Sequence, residues 1–428
     1  MESRSWDRLI RQRMDALAGR SGRRSLRVVR PLDATHVEVD GRRYVNFASN
    51  NYLGLSHHPR VIEAAAAALA REGVGSGASP LVTGRGPSHE SAERRIAAWK
   101  GTEAAVLLPS GYQANVAAIQ TIAALGGGGG LDISTPGAAE GPGAGGVRFL
   151  LDKLVHASVI DAVRSTGAAY RVFPHNGLIK LTRLLDEGNG DEADPGQMQV
   201  VVTESVFSMD GDEAALSELS SLRRSGRRFV LLLDEAHASG VYGPAGAGLA
   251  AHYALSDLPE VSVVTLSKAL GCAGGAVCGS KAFCEAVVNF GRAYIYSTGI
   301  PPAFAAAAEA AIDVLRDEPQ HQRRLEELRA RVAGALREAG PVVIPPTVSA
   351  IVPVFLGSEE AALEAASRMQ QAGLWVVPIR PPTVPRGTSR LRVTLSSQHT
   401  DGEIDLLLKT LGSLDVRPAT PPPGAGQS

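Results

Sequence analysis

Lysine is scarce in this arginine-rich chain, and one of its few lysines, Lys268, ends a strand-like apolar run, VSVVTLSKALG. A second run, RFVLLLDEAHASG, ends with Asp234 and His237 in the same relative place. Short apolar runs bounded by turn residues read as buried strands. In open α/β sheets, ligands bind in the crevice beyond the carboxyl ends of such strands. A lysine in a turn can also be a plain surface residue, but here an amine, a carboxylate and an imidazole share one sheet edge. That set suits the chemistry of pyridoxal phosphate (PLP). The amine condenses with the cofactor's aldehyde, and the carboxylate keeps the pyridine nitrogen protonated so that the ring accepts electrons. The imidazole can hydrogen-bond the ring substituents.

Other strand ends add groups to the same edge. LLPSGYQANVAAI reads as strand, turn and helix, with Ser110, Gly111 and Tyr112 where free backbone N–H groups would suit a phosphate, although many helices begin with Ser-Gly for capping alone. Thr265 places a hydroxyl three residues before Lys268. In LDKLVHAS, His156 stands at a strand-to-helix transition, as a cap or core histidine or as a ring lying flat on a cofactor. TESVFSMDGD ends a strand with Glu204, Ser208 and Asp210, readable as a capped turn or as cofactor contacts.

LLLDEAH also occurs as a magnesium-binding box in helicases, but that function needs G-x-x-x-x-G-K-[ST], and the chain has no Gly-Lys dipeptide. The G-x-S-x-G elbow of serine hydrolases and the H-E-x-x-H of zinc peptidases are likewise missing from the sequence. With 428 residues, 44% hydrophobic, 20% charged and a net charge of −1, neither nucleic acid nor a membrane surface is indicated as partner. No apolar run is long enough to span a bilayer, and the N-terminus carries both signs of charge throughout, which points to the cytoplasm. Cys272, Cys278 and Cys284 lie in one small-residue and helical stretch and read as reduced, packed thiols, with no metal site expected.

Strand-like and helical segments alternate from about residue 61 to 302, as in a mainly parallel sheet with helices on both faces. The strands are AAVLLP, RFLLD, AYRVFP, MQVVVTES, RFVLLLDE and VSVVTLS. SVIDAVRS and LSELSSLRRSG carry helical spacing. Residues 1–60 form an N-terminal segment. A smaller α+β domain over 303–415 opens with a helical stretch broken near Pro319 and carries SAIVPVFLG, LWVVPIR and RLRVTLS. The glycine-rich 125–146 reads as a loop insertion, and 416–428 as a disordered tail.

With these pieces in order, the chain resembles the α-oxoamine synthases, PLP enzymes of fold type I. The residues that carry the resemblance are NFASNNYLGLS, LLPSGYQAN, DKLVHAS, VVTESVFSMDGD, LLLDEAHASG, VVTLSKALG, YSTGIPP and IRPPTVPRGTSRLRVTLS. It implies that Lys268 is the lysine joined to PLP, Asp234 the partner of the ring nitrogen, and His156 the residue stacked on the ring. His237 and Ser208 would lie about the phenolic oxygen, and Gly111, Tyr112 and Thr265 at the phosphate. Ser297 and Thr298 resemble phosphate contacts supplied by a neighbouring subunit, which implies a homodimer with shared active sites. Arg392 matches the arginine that holds an α-carboxylate, where a guanidinium fork suits two oxygens. Asn50, Thr383 and Arg24, or its neighbour Arg23, match substrate positions. VFSMDGD and IRPPTVP point to the branch that condenses L-alanine with pimeloyl-CoA or a pimeloyl carrier protein in biotin synthesis. Sister synthases that use glycine, such as glycine C-acetyltransferase and 5-aminolevulinate synthase, share the PLP blocks, and an aminotransferase is a more distant alternative.

Overall fold

The computed structural model describes residues 2–18, 26–126, 146–189, 197–255, 257–338, 349–381 and 383–414. The chain opens with α1 (Glu2–Ala18), β1 (Val29–Pro31), β2 (His36–Val39), β3 (Arg42–Asn46), α2 (Pro59–Glu72) and α3 (Pro87–Lys100). An alternating run follows: β4 (Ala104–Leu108), α4 (Gly111–Leu125), β5 (Val147–Asp152), α5 (Ala157–Thr166), β6 (Ala169–Phe173) and α6 (Leu178–Asn189). It continues through β7 (Met198–Glu204), α7 (Leu216–Arg224), β8 (Val230–Asp234), α8 (Leu249–His252), β9 (Val261–Thr265) and β10 (Gly275–Gly279). Helices α9 (Lys281–Phe290), α10 (Arg292–Ile295), α11 (Pro302–Asp317) and α12 (Gln320–Glu338) lead to β11 (Ile351–Gly357) and α13 (Glu359–Gln371). The last elements are β12 (Leu374–Trp375), β13 (Val377–Ile379), β14 (Ser389–Thr394) and α14 (Asp401–Gly412).

The large sheet has seven strands in the order β4-β10-β9-β8-β7-β5-β6. All neighbours run parallel except β10, which is antiparallel to both β4 and β9. A second sheet, β11-β14-β13, is antiparallel, and β12 pairs instead with β3 of the N-terminal sheet. Among the described residues no helix is long and apolar enough to cross a membrane.

Both faces of the sheet are covered at its central strands β7, β8 and β9, so these read as largely apolar runs, and successive residues go to opposite cores. Val200 and Val202 of β7, Leu232 of β8, and Val261 and Val263 of β9 join one cluster with Ala114 and Ile119 of α4. Val201, Leu231 and Leu233 join the opposite cluster with Leu181 of α6 and Leu219 of α7. Continuing that parity, Glu204, Asp234 and Thr265 emerge on the α4 face. Asp152, which follows Leu150 in the alternation, emerges on the opposite one.

The stretch holding the three cysteines is not simply helical. Cys278 lies on β10, Cys272 in the turn before it and Cys284 on α9. GAVCG lacks a strand-like pattern because close backbone approach has displaced side-chain bulk: a Cβ on Gly275 would lie 2.6 Å from the Gly111 nitrogen. All three thiols are free, and burial pushes each up to about 12. Most of the glycine-rich insertion and the whole of 416–428 lie outside the described residues.

Candidate active site

Lys268 sits just beyond β9 in a turn closed by the Gly271 N–H donating to its carbonyl at 2.9 Å. Gly271 has φ +67°, and a Cβ there would meet the Ser56 nitrogen at 2.2 Å, so glycine lets the 50–56 segment lie against the turn. The Lys268 Nζ is 2.8 Å from His237 Nε2. His237 Nδ1 lies 2.5 Å from the Tyr52 hydroxyl, which donates to Asn50 Oδ1 at 3.2 Å. The Tyr52 hydroxyl and His237 Nδ1 share one proton across this contact, and His237 Nε2 faces the Lys268 amine. Burial, and then the charges of Lys268 and Arg392, hold His237 well below its ordinary range, in keeping with a neutral ring. Burial likewise lowers the Lys268 amine to about 8. Asp234 and Glu204 offset part of that effect, while Arg392 adds to it.

Asp234 is 5% exposed at the end of β8. Its Oδ2 accepts from Asn115 Nδ2 of α4 at 2.7 Å and its Oδ1 from the Ala236 N–H at 2.9 Å. Asn115 also donates to the Ser158 hydroxyl at 3.0 Å, which lies 2.8 Å from His156 Nδ1. His156 is the N-cap of α5, accepting from the Ser158 N–H at 3.2 Å. One carboxylate is thus tied through Asn115 of α4 to the His156 imidazole. Glu204, on the same face as Asp234, is buried, and desolvation followed by the Asp234 charge raises its pKa well above the ordinary value.

Arg392, on β14, is 8% exposed. Its Nε donates to the Ser208 carbonyl at 2.6 Å, and both terminal nitrogens donate to Asn50 Oδ1 at 3.1 Å. The loop that carries Ser208 is clamped twice more. Arg390 pairs with Asp210. His175 bridges Asp152 at 3.1 Å and Asp212 at 2.6 Å on the opposite sheet face. Burial alone would lower His175, but these two carboxylates raise it to about 10.

Contacts therefore gather Lys268, His237, Asn50, Arg392 and Ser208 into one chain, and Asp234 and His156 into another. Ser208 joins through its backbone. Gly111 and Thr265 form the floor at the start of α4: a Cβ on Gly111 would lie 2.9 Å from Thr265 Oγ1. Tyr112 stands edge-on to His156 with ring centroids 6.4 Å apart, its hydroxyl donating to Asp161 at 2.7 Å. The Ser297 hydroxyl accepts from Gln113 of its own chain at 3.0 Å, and Thr298 is exposed. Thr383 is exposed and its N–H donates to the nearby Arg380 carbonyl at 3.0 Å. Arg23 and Arg24 lie outside the described residues. Tyr52, Asn115, Ser158 and His175 were not singled out by sequence reasoning. Tyr52 and Asn115 stand inside the motifs NNYLGLS and SGYQAN, but nothing in spacing marks them.

The set fits PLP on structural grounds. An amine of lowered pKa stands near a buried, doubly hydrogen-bonded carboxylate, and buried oxygens of Asn115 and Glu204 have no partner among the described residues. The first turn of α4, whose backbone N–H groups lack intrahelical acceptors, suits a phosphate. Residues 42–411 match the family profile described as aminotransferase class I and II. A protein of Anaeromyxobacter dehalogenans named 8-amino-7-oxononanoate synthase is 41% identical over 412 residues, 96% of each chain. One of Maricaulis maris with the same name is 40% identical over 96% of this chain and 97% of its own. A serine palmitoyltransferase from S. paucimobilis, solved with PLP–myriocin bound, superposes with a TM-score of 0.83 at 28% identity, covering 96% of this chain and 97% of that one.

Proposed function

The chain belongs to the α-oxoamine synthases, PLP-dependent acyltransferases of fold type I, and from that premise we propose that it condenses L-alanine with a pimeloyl thioester. The products are 8-amino-7-oxononanoate, CO2 and the free thiol of CoA or a carrier protein. The observation that carries the choice of substrates is the 41% identity, across 96% of both chains, to the enzyme named for that product.

PLP, when bound, supplies a conjugated ring that takes up the electron pair left at the amino acid's Cα. Asp234 would hold a proton at the ring nitrogen, its own position set by Asn115 and the Ala236 N–H. His156 would cover one face of the ring, with Gly111, Tyr112 and Thr265 at the phosphate end and His237 and Ser208 toward the phenolic oxygen. Lys268, whose amine is partly free near neutral pH because its pKa is about 8, would remove the Cα proton and later return one. Arg392 would take the α-carboxylate in a fork. Its two terminal nitrogens now rest on Asn50, so the substrate replaces an amide oxygen with a charged partner, and Asn50 receives the guanidinium again once CO2 has left. Thr383 and Arg24 are assigned to the acyl chain. Ser297 and Thr298 are assigned to the phosphate of a partner subunit's site, in a homodimer.

Steady-state release of thiol tests the reading, with alanine, serine and glycine each run against pimeloyl, acetyl, succinyl and palmitoyl thioesters. The expected optimum is alanine with pimeloyl. A clear preference for serine with palmitoyl, or for glycine with a short acyl group, overturns the substrate assignment. Conversion of alanine to a keto acid without thiol release points to an aminotransferase.

A further inference from the structure

Away from the active site, His58, Glu318 and His321 each offer a ligand atom, and these atoms all lie within 4.8 Å of one another. They come from three places in the fold: immediately before α2, immediately after α11, and in the first turn of α12. Glu318 Oε2 is 3.2 Å from His58 Nε2 and 3.3 Å from His321 Nε2. The side chains are largely sheltered, at 16%, 26% and 15% exposure for His58, Glu318 and His321. Without a cation, two imidazoles must both place their Nε2 protons on one carboxylate oxygen. A single cation in place of those protons would bond all three groups.

The surroundings support Glu318 and His321, while His58 Nδ1 is buried with no hydrogen-bond partner among the described residues. Glu318 and His321 stand three residues apart where the chain turns from α11 into α12, the His321 N–H donating to the Glu318 carbonyl at 3.3 Å, the same Glu-x-x-His spacing that metal ligands on helices use. The other oxygen of Glu318 accepts from Arg60 at 3.2 Å, which turns Oε2 toward the histidines, while Asp317 accepts from the same guanidinium at 2.8 Å and balances its charge. His321 Nδ1 lies 3.2 Å from the Gln398 amide nitrogen. Turning that amide over presents an oxygen to Nδ1–H, the outer contact that orients a metal-bound imidazole.

We propose that His58, Glu318 and His321 form a binding site for a divalent transition metal of the zinc class. Two imidazole nitrogens and one carboxylate oxygen leave a fourth tetrahedral position for water. Softer thiolate-seeking ions are disfavoured, because no sulfur is among the ligands, and so is magnesium, because two ligands are nitrogen. The role is structural. The site would join the start of α2 to the α11–α12 junction.

The test uses the untagged full-length holoenzyme, freed of metal by a chelator. Zinc chloride is titrated by calorimetry, and cobalt(II) chloride is followed by its visible d–d bands. The expected result is one ion per chain, the intense bands of a four-coordinate cobalt centre, and a higher melting temperature with zinc. His58→Gln and His321→Gln should each weaken binding by about tenfold or more, while thioester turnover and the visible PLP spectrum persist. The proposal is overturned if wild type shows no saturable zinc binding, if its cobalt spectrum is that of the hexaaqua ion, or if both variants bind zinc like wild type. The wild-type cobalt spectrum decides the matter even if a variant fails to fold.

Discussion

With Lys268 proposed as the lysine that takes up PLP, the state of its free amine follows from its surroundings. An ordinary lysine, with its pKa at 10.5, holds about one amine in a thousand as free base at pH 7.5, whereas a pKa of about 8 leaves about a quarter free, a gain of about two hundredfold in reactive amine. Apoenzyme mixed rapidly with PLP should therefore gain visible absorbance at a rate that climbs about tenfold per pH unit and levels near pH 8. His237, in contact with the amine and already neutral, adds no second rise above pH 6.5. Asp234→Asn removes a carboxylate that supports the charged amine, so the midpoint should move lower still. A rate that keeps climbing to pH 10 in the wild type would refute the argument, since the amine would then be solvated like a surface lysine. An upward move in Asp234→Asn would show that the carboxylate does not act on the amine.

Asn115→Ala removes the 2.7 Å donor on Asp234; a hydrogen bond to a charged group contributes about 1.5–3 kcal/mol, so kcat/KM should fall by about tenfold to a hundredfold with PLP still bound, and wild-type kinetics would show Asn115 to be idle. Arg392→Lys loses the fork that spans both Asn50 contacts and the Ser208 carbonyl. KM for the amino acid should rise by about tenfold or more while the PLP spectrum holds, and an unchanged KM would remove Arg392 from carboxylate binding. His175, raised from 6.5 to about 10, contributes stability that is fully present below about pH 6.5 and lost as pH rises through about 10. The melting-temperature gap between wild type and His175→Gln should therefore narrow from pH 7 to pH 10, and a constant gap would mean that the ion pairs contribute nothing.

What the chain discloses without coordinates follows from how its sheet is buried. The runs ending in Glu204, Asp234 and Thr265 are legible as strands because each is apolar and bounded by turn residues, and the fold type follows from their alternation with helices. Their lack of polar alternation hides which face each terminal residue takes. Parity becomes visible only through partners: Asp234 meets Asn115 of α4, whereas Asp152, at the end of an equally apolar strand, emerges on the other face and pairs with His175. Position at a strand end is therefore not sufficient to bring a carboxylate into this site. β10 escapes notice for the converse reason, since its Gly275 serves the close approach to Gly111 rather than a pattern of its own. Tyr52 and Asn50 lie in a segment with no periodicity to read, and they meet His237 and Arg392 across long stretches of sequence. Lys268 and Asp234 could be found because their chemistry is unusual at a strand end. Asn115 and Tyr52, which meet Asp234 and His237, are ordinary polar residues whose contacts exist only once the sheet has brought α4 and the N-terminal segment against it.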